Sequence, residues 1–159
     1  MIERTLVLIK PDAVSRKLVG KIIGRFEDAG LKIVGMKMVW MTKEFSKKHY
    51  AVHMQKPFYK GLEEFMTYGP VVAMVIEGIH AVEVVRKHTG STEPFSAAPG
   101  TIRGDYAHHS YAYADKRGSA IKNIIHASGT QDDAKTEIPL WFSKEELHTY
   151  KTVDEVHVF

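Results

Sequence analysis

Two short stretches of the chain, residues 5–9 and 71–76, are almost continuously apolar and rich in Val, Ile and Leu. Runs of this kind read as strands covered on both faces, because a half-exposed strand would alternate apolar with polar residues. Between them Leu18, Ile22, Ile23 and Phe26 recur at helical spacing, and Gly30 supplies a stop. Residues 31–41 then read as a strand whose alternation Gly35 interrupts, the mark of a bulge. Thr42 predicts the cap of a helix reaching about His53, and residues 61–67 a further helix stopped by Gly69-Pro70.

Beyond the second apolar run, residues 79–88 carry a helical pattern. Gly90, Pro94, Pro99, Gly100 and Gly104 then predict an irregular loop over 89–105, of a length that in compact domains tends to be functional. Residues 123–127 read as a fourth strand, Thr130 to Asp133 as a capped helix start, and Pro139 as the end of that helix. Ser143 and Glu146 frame a short turn, and the tail to Phe159 is mixed. This order predicts a ferredoxin-like split βαβ architecture of the α/β (α+β) class: a four-stranded antiparallel sheet covered by helices, in one domain spanning 1–159.

Composition narrows the function classes. The 159 residues are 44% hydrophobic, contain no Cys, and carry 22 basic against 19 acidic side chains, a net +3. Disulfides and thiolate metal sites are thereby excluded. The charge suits small anions and falls far short of a nucleic-acid coat. The apolar run near the N-terminus is too short for a signal peptide or a membrane span, so a cytoplasmic protein with no membrane partner is expected.

Neither GxxxxGK[ST] nor GxGxxG occurs, so any nucleotide phosphate must be held by side chains. His49 and His53 stand at the i, i+4 spacing of a helical metal pair, but no third ligand is evident, and a solvated helix face is the plainer reading. Residues 106–113 interleave Tyr with His108 and His109 and read as a surface insertion. The most informative stretch is Asn123-Ile-Ile-His126-Ala-Ser128. His126 ends an apolar strand beside small residues that leave its ring uncovered, and Glu137 follows on the next helix. A carboxylate can accept the proton of one ring nitrogen and leave the other as a nucleophile.

Lys10-Pro-Asp12, His49-Tyr50, Lys56-Pro57-Phe58, Gly69-Pro70-Val-Val-Ala-Met74, Pro99-Gly-Thr-Ile-Arg103-Gly-Asp105 and the His126 motif together closely resemble nucleoside diphosphate kinases, collinearly from Arg4 to about Phe142. The resemblance implies a ping-pong transfer of the γ-phosphate through a phosphohistidine on His126. Carried over motif by motif, it implies that Lys10, Tyr50, Arg86, Thr92 and Arg103 contact phosphates and that Phe58 stacks on the base. It further implies that Asn123 and Lys10 hold the ribose 3′-hydroxyl, and that Glu137, hydrogen-bonded by Ser128, orients His126. Mg²⁺ would be held by the nucleotide phosphates and by no protein ligand, and the assembly would be a homohexamer, a trimer of dimers.

Two departures stand out. Gly129 occupies a position where the family usually has an acidic residue, which removes that carboxylate from any role towards the cation. The stretch between Asp105 and Asn123 is longer than usual, an insertion at about 106–121 whose three Tyr residues suit an interface between subunits. A rival class, an RNA-binding ferredoxin-like module, would need exposed aromatics on the two central strands, and residues 5–9 and 71–76 offer none.

Overall fold

A computed structural model describes residues 1–158, so Phe159 lies outside the described residues. Strands β1 (Ile2–Ile9), β2 (Lys32–Trp40), β3 (Pro70–Ile79) and β4 (Ile125–Ala127) form one sheet in the order β2-β3-β1-β4. Every neighbouring pair is antiparallel, which is the ferredoxin-like layout expected. Nine helices accompany it among the described residues: α1 (Pro11–Ser15), α2 (Val19–Glu27), α3 (Lys43–His49), α4 (Tyr59–Thr67), α5 (Ala81–Thr89), α6 (Ile102–Tyr106), α7 (Tyr111–Lys116), α8 (Gln131–Trp141) and α9 (Glu155–Val158). None is long and apolar enough to cross a membrane.

The pleat of the two central strands explains their unbroken apolar sequence. Val7 and Ile9 of β1 join Met74 and Ile76 of β3 in a core against Ile22 and Phe26 of α2 and Val85 of α5. Leu6, Leu8, Val71, Ala73 and Val75 face the other way, into a second core with Phe65 and Met66 of α4 and Trp141. With both faces covered, no polar position remains to create alternation. The register of β2 on β3 shifts between Ile33 and Gly35, the expected bulge.

Several boundaries differ from the sequence pattern. The helix begun by Thr42, whose hydroxyl accepts from the Phe45 amide, ends at His49 and gives way to a 3-10 turn at Ala51–His53. The next helix begins at Tyr59, two residues before Gly61. β3 runs on to Ile79, so the following helix starts only at Ala81. The stretch 89–105 is not irregular throughout: it holds a 3-10 turn at Pro94–Ser96 and the start of α6, capped by Thr101. The tail contains α9.

Pro139 does not end α8, which continues to Trp141. So close to the C-terminus a proline forfeits one main-chain hydrogen bond. Continuing the helix buries Trp141 and Phe142 in the second core, a gain of roughly 2 kcal/mol for each such side chain. The fourth strand is shorter than 123–127 because Ile124 has φ +61 and cannot extend it.

The first core predicts its own most sensitive position. Phe26, fully buried between α2 and the sheet, should cost about 3–5 kcal/mol on truncation to Ala. Urea unfolding of Phe26→Ala tests this, and a loss under about 1 kcal/mol would show that the α2 face is not the structural core.

Candidate active site

The site gathers where β1 and β4 end side by side, with Leu8 opposite His126 in the register. Lys10 follows β1 directly and Pro11 opens α1, which turns the chain away and leaves the Lys10 side chain beside the start of β4. Its Nζ donates to Asn123 Oδ1 at 2.6 Å, and the Asn123 amide donates to the Thr92 carbonyl at 2.9 Å. Burial, with Arg103 nearby, lowers the Lys10 pKa to about 8, against the pull of Asp12.

Arg103, delivered by α6, is buried as well. Its guanidinium donates to three main-chain carbonyls, those of Asn123 (3.2 Å), Gly90 (3.0 Å) and Ile125 (2.6 Å). A guanidinium has five N–H groups, so donors remain for a ligand. Burial, then neighbouring Arg86, lowers its pKa to about 10. Gly90 makes this approach possible: its φ is +84, and a Cβ there would collide with the Thr101 side chain.

Between Asn123 and His126 the backbone is strained. Ile124 is β-branched and sits at φ +61, a conformation that costs on the order of 1–3 kcal/mol and persists only where the surroundings impose it. Here the Asp12 carboxylate accepts from the Ile124 amide at 3.2 Å, and the Ile124 carbonyl accepts from the Lys10 amide at 2.9 Å. Asp12, the last residue of the Lys10-Pro-Asp12 motif, is thus a supporting residue for this kink. Its burial raises its pKa, offset in part by Lys10.

His126 is partly exposed, and its Nε2 lies 3.1 Å from Glu137 Oε1. The other Glu137 oxygen accepts from Ser128 Oγ at 2.6 Å. Burial works to raise the Glu137 pKa, but His126 and the Ser128 hydroxyl together hold it below the usual carboxylate value. An ionised carboxylate can only accept, so Nε2 carries the ring proton and Nδ1 keeps its lone pair.

A chain of rings leads outward. His126 meets His49 at 5.2 Å between centroids, His49 meets Tyr50 at 4.5 Å, Tyr50 meets His53 at 6.3 Å, and His53 meets Phe58 at 5.6 Å. Tyr50 is buried with its hydroxyl unpartnered among the described residues, and burial, followed by Glu137 and Tyr59, raises its pKa. Phe58 is not core: it is more than half exposed and lines a groove of ≈ 440 Å³ with Pro57, Gly61, Ser119 and Ala120. Arg86 and Thr92 are exposed. Arg86 stands close enough to Arg103 to depress its pKa, and Thr92 reaches the cluster through its carbonyl.

The residues singled out in the sequence therefore converge. Missed were His49, read as part of a solvated face, and Trp141, whose indole donates to His49 Nδ1 at 3.1 Å. The sequence signals were the His49-Tyr50 motif, in which His49 was given no role, and the place of Trp141 four residues after Glu137. At Gly129 a Cβ would lie 2.8 Å from the carboxylate of Asp133, so a carboxylate from α8 occupies the space that a side chain at 129 would fill.

The nucleoside diphosphate kinase family profile matches residues 3–147. The chain is 55% identical over 149 residues to the nucleoside diphosphate kinase of Pyrococcus furiosus, covering 94% of this chain and 88% of that one. To the enzyme of the same name from Thermoplasma volcanium it is 51% identical, covering 97% and 98%. Its fold matches a transition-state mimic of the Borrelia burgdorferi kinase with bound vanadate and ADP at a TM-score of 0.95 and 42% identity, over 99% of this chain and 96% of that one. A halophilic kinase from Halobacterium salinarum in complex with CDP matches at 0.89 and 42%, over 100% and 99%. Agreement that runs from β1 past the end of α8, at about half identity, is membership: the chain belongs to the nucleoside diphosphate kinase family.

Proposed function

We propose that the chain moves the γ-phosphate of a nucleoside triphosphate to a nucleoside diphosphate in two half-reactions through a phosphohistidine on His126. The contact between His126 Nε2 and Glu137 carries this reading, because it leaves Nδ1 as the nucleophile. Nδ1 attacks the γ-phosphorus, the bond to the bridging oxygen breaks, and the diphosphate departs. The ring then bears a positive charge that Glu137 offsets. In the second half-reaction a β-phosphate oxygen of another diphosphate attacks the phosphorus, the N–P bond breaks and Nδ1 regains its lone pair. No strong general base is needed, since phosphoryl transfer demands chiefly positioning and charge neutralisation.

Lys10, Arg86 and Arg103 are assigned to the phosphate oxygens, with Tyr50 and Thr92 as hydroxyl donors. Asn123 and Lys10 are assigned to the ribose 3′-hydroxyl. The groove beside Phe58 takes the base, which stacks on an aromatic face that any base satisfies. Relatives that hold ADP and CDP support acceptance of purines and pyrimidines alike.

The family's divalent cation is assigned as Mg²⁺. Glu137 spends both oxygens on His126 and Ser128, so it offers no free carboxylate beside the nucleophile, and this donor set suits a cation carried in by the nucleotide phosphates. When bound, it neutralises charge on those oxygens. The cytoplasm is the proposed compartment, since a chain without Cys gains nothing from an oxidising one.

We assign residues 1–159 to one domain and propose a hexamer built from dimers. Met36, Met38 and Trp40 stand exposed on edge strand β2, and an exposed apolar edge is a surface for pairing with another chain. The insertion presents Tyr111 and Tyr113, both exposed, near Phe95, whose amide bonds the His109 carbonyl. Met38→Lys should therefore shift the sedimentation coefficient to a smaller species, with phosphohistidine formation per chain retained. An unchanged coefficient would remove β2 from the interface.

Two measurements test the chemistry. Incubation with γ-labelled ATP and Mg²⁺ should give an acid-labile, base-stable phosphoprotein discharged by a diphosphate. His126→Ala should give none, and label retained in that variant would sink the mechanism. Glu137→Gln should slow turnover about a hundredfold with nucleotide affinity little changed, because orientation is lost while nucleotide contacts remain.

The Lys10 charge supplies a pH test. Its lowered pKa means that the free protein loses this cation as pH rises through about 8. Diphosphate affinity should therefore weaken above pH 8 by up to about tenfold per pH unit, and Lys10→Met should abolish that step. Calorimetric titration across this range decides; a wild-type affinity that stays flat above pH 8 removes Lys10 from the phosphate site.

A further inference from the structure

Helix α8 brings two side chains to the site from positions four residues apart. Glu137 meets the edge of His126, and Trp141, buried at the end of the helix, directs its indole N–H at His49 Nδ1. His49 stands edge-to-face against the His126 ring, with centroids 5.2 Å apart and planes at 85°. Trp141 is itself fixed by Phe45, whose ring lies 4.8 Å away at 75°.

An indole N–H can only donate. His49 Nδ1 must keep its lone pair, and the neutral ring therefore carries its proton on Nε2. This matters because His49, His126 and Glu137 present ligand atoms within 4.8 Å of one another, as a metal site would. A ring whose Nδ1 is occupied and whose Nε2 is protonated has no lone pair for a metal, so while the Trp141 bond stands the cluster is not a metal centre. Burial foremost, with His126, Lys10 and His53 adding to it and Glu137 opposing, lowers the His49 pKa to about 3.

We infer that His49, locked by Trp141 as the neutral Nε2–H tautomer, is a positioning residue that holds the ring plane of His126. The inference rests on the phosphohistidine reading above and deepens it. One hydrogen bond at Nε2 fixes a point on the nucleophile's ring but not the plane, and the terminal torsion of a His is soft. A second ring packed perpendicular to it removes that freedom. Neutrality is part of the device, because a charged His49 would oppose the positive charge that His126 gains on phosphorylation. Helix α8 thus sets the nucleophile twice, directly through Glu137 and indirectly through Trp141 and His49.

The test is Trp141→Phe, which keeps an aromatic ring against Phe45 and removes the donor. Nitrogen-15 spectra of the imidazoles in the wild type should show His49 as a single tautomer, protonated on Nε2 and unmoved between about pH 5.5 and 8. The variant should show a mixture. In single turnover at saturating ATP its phosphohistidine should form at least about tenfold more slowly, with ATP affinity unchanged. His49→Asn, which keeps an acceptor for the indole, should recover more of the rate than His49→Leu.

A wild-type His49 protonated on Nδ1 or present as a mixture overturns the inference, as does an unchanged rate in Trp141→Phe. Should that variant fail to fold, the wild-type spectra and the His49 pair decide the matter. A wild-type protein that forms no phosphohistidine overturns the function instead, so the two failures are distinguishable.

Discussion

A buried guanidinium solvated by main-chain carbonyls holds the entrance to the fourth strand. Arg103 draws the carbonyls of Gly90, Asn123 and Ile125 onto one side chain, which gathers the loop after α5 and both flanks of Ile124. Desolvating a charge is costly unless its donors are satisfied, and here backbone oxygens do what water would. Arg103 thus fixes the residues on either side of Ile124, and Asp12 and the Lys10 amide hold Ile124 itself at positive φ. That kink ends the sheet ladder early, directs the Asn123 amide back towards Lys10 and leaves His126 projecting from a strand of three residues.

The cost of this arrangement falls on stability. Lys10 titrates at about 8 in the folded protein against 10.5 in an ordinary environment. Between those values the unfolded chain binds more protons than the folded one, so stability rises with pH through this window, and below it the buried ammonium is a standing penalty. Arg103 adds a second buried cation and Arg86 a third charge at its margin. The one carboxylate in contact with His126 is turned to the imidazole and the Ser128 hydroxyl. Such a cluster of buried cations is unfavourable on its own, and the proposed phosphates would offset it, as expected where binding energy is reserved for charge on the transferred group.

How much of this the sequence discloses depends on range. The two central strands were legible because burial on both faces leaves no ambiguity of period, and Gly35 declared the bulge because a missing side chain at a break in alternation has few other causes. The meeting of Lys10, Arg103, Asn123, His126 and Glu137 was legible only as a pattern shared with a family, since no local rule predicts that residues more than a hundred positions apart become neighbours. The early end of β4 was hidden because Ile is a strong strand former, and its conformation is imposed by Asp12 and Lys10 from the far end of the chain. His49 was misread for a related reason. On α3 it lies between lysines and the Tyr50 turn, so its helix looks solvated, and only the docking of α8 turns that side inward.

The run of α8 past Pro139 then has a chemical sense as well as a packing one. Glu137 and Trp141 lie one turn apart on the same side of the helix, as i, i+4 residues must. Had the helix stopped at the proline, Trp141 would leave that line and lose either its burial or its contact with His49. The cost is a single main-chain bond, the one the Lys135 carbonyl would have accepted from residue 139, while the helix closes beyond the proline through the Phe142 amide on the Ile138 carbonyl. The second core therefore stabilises the turn that carries Trp141, and through it the packing of one face of the sheet is coupled to the orientation of the His126 ring on the strand at its edge.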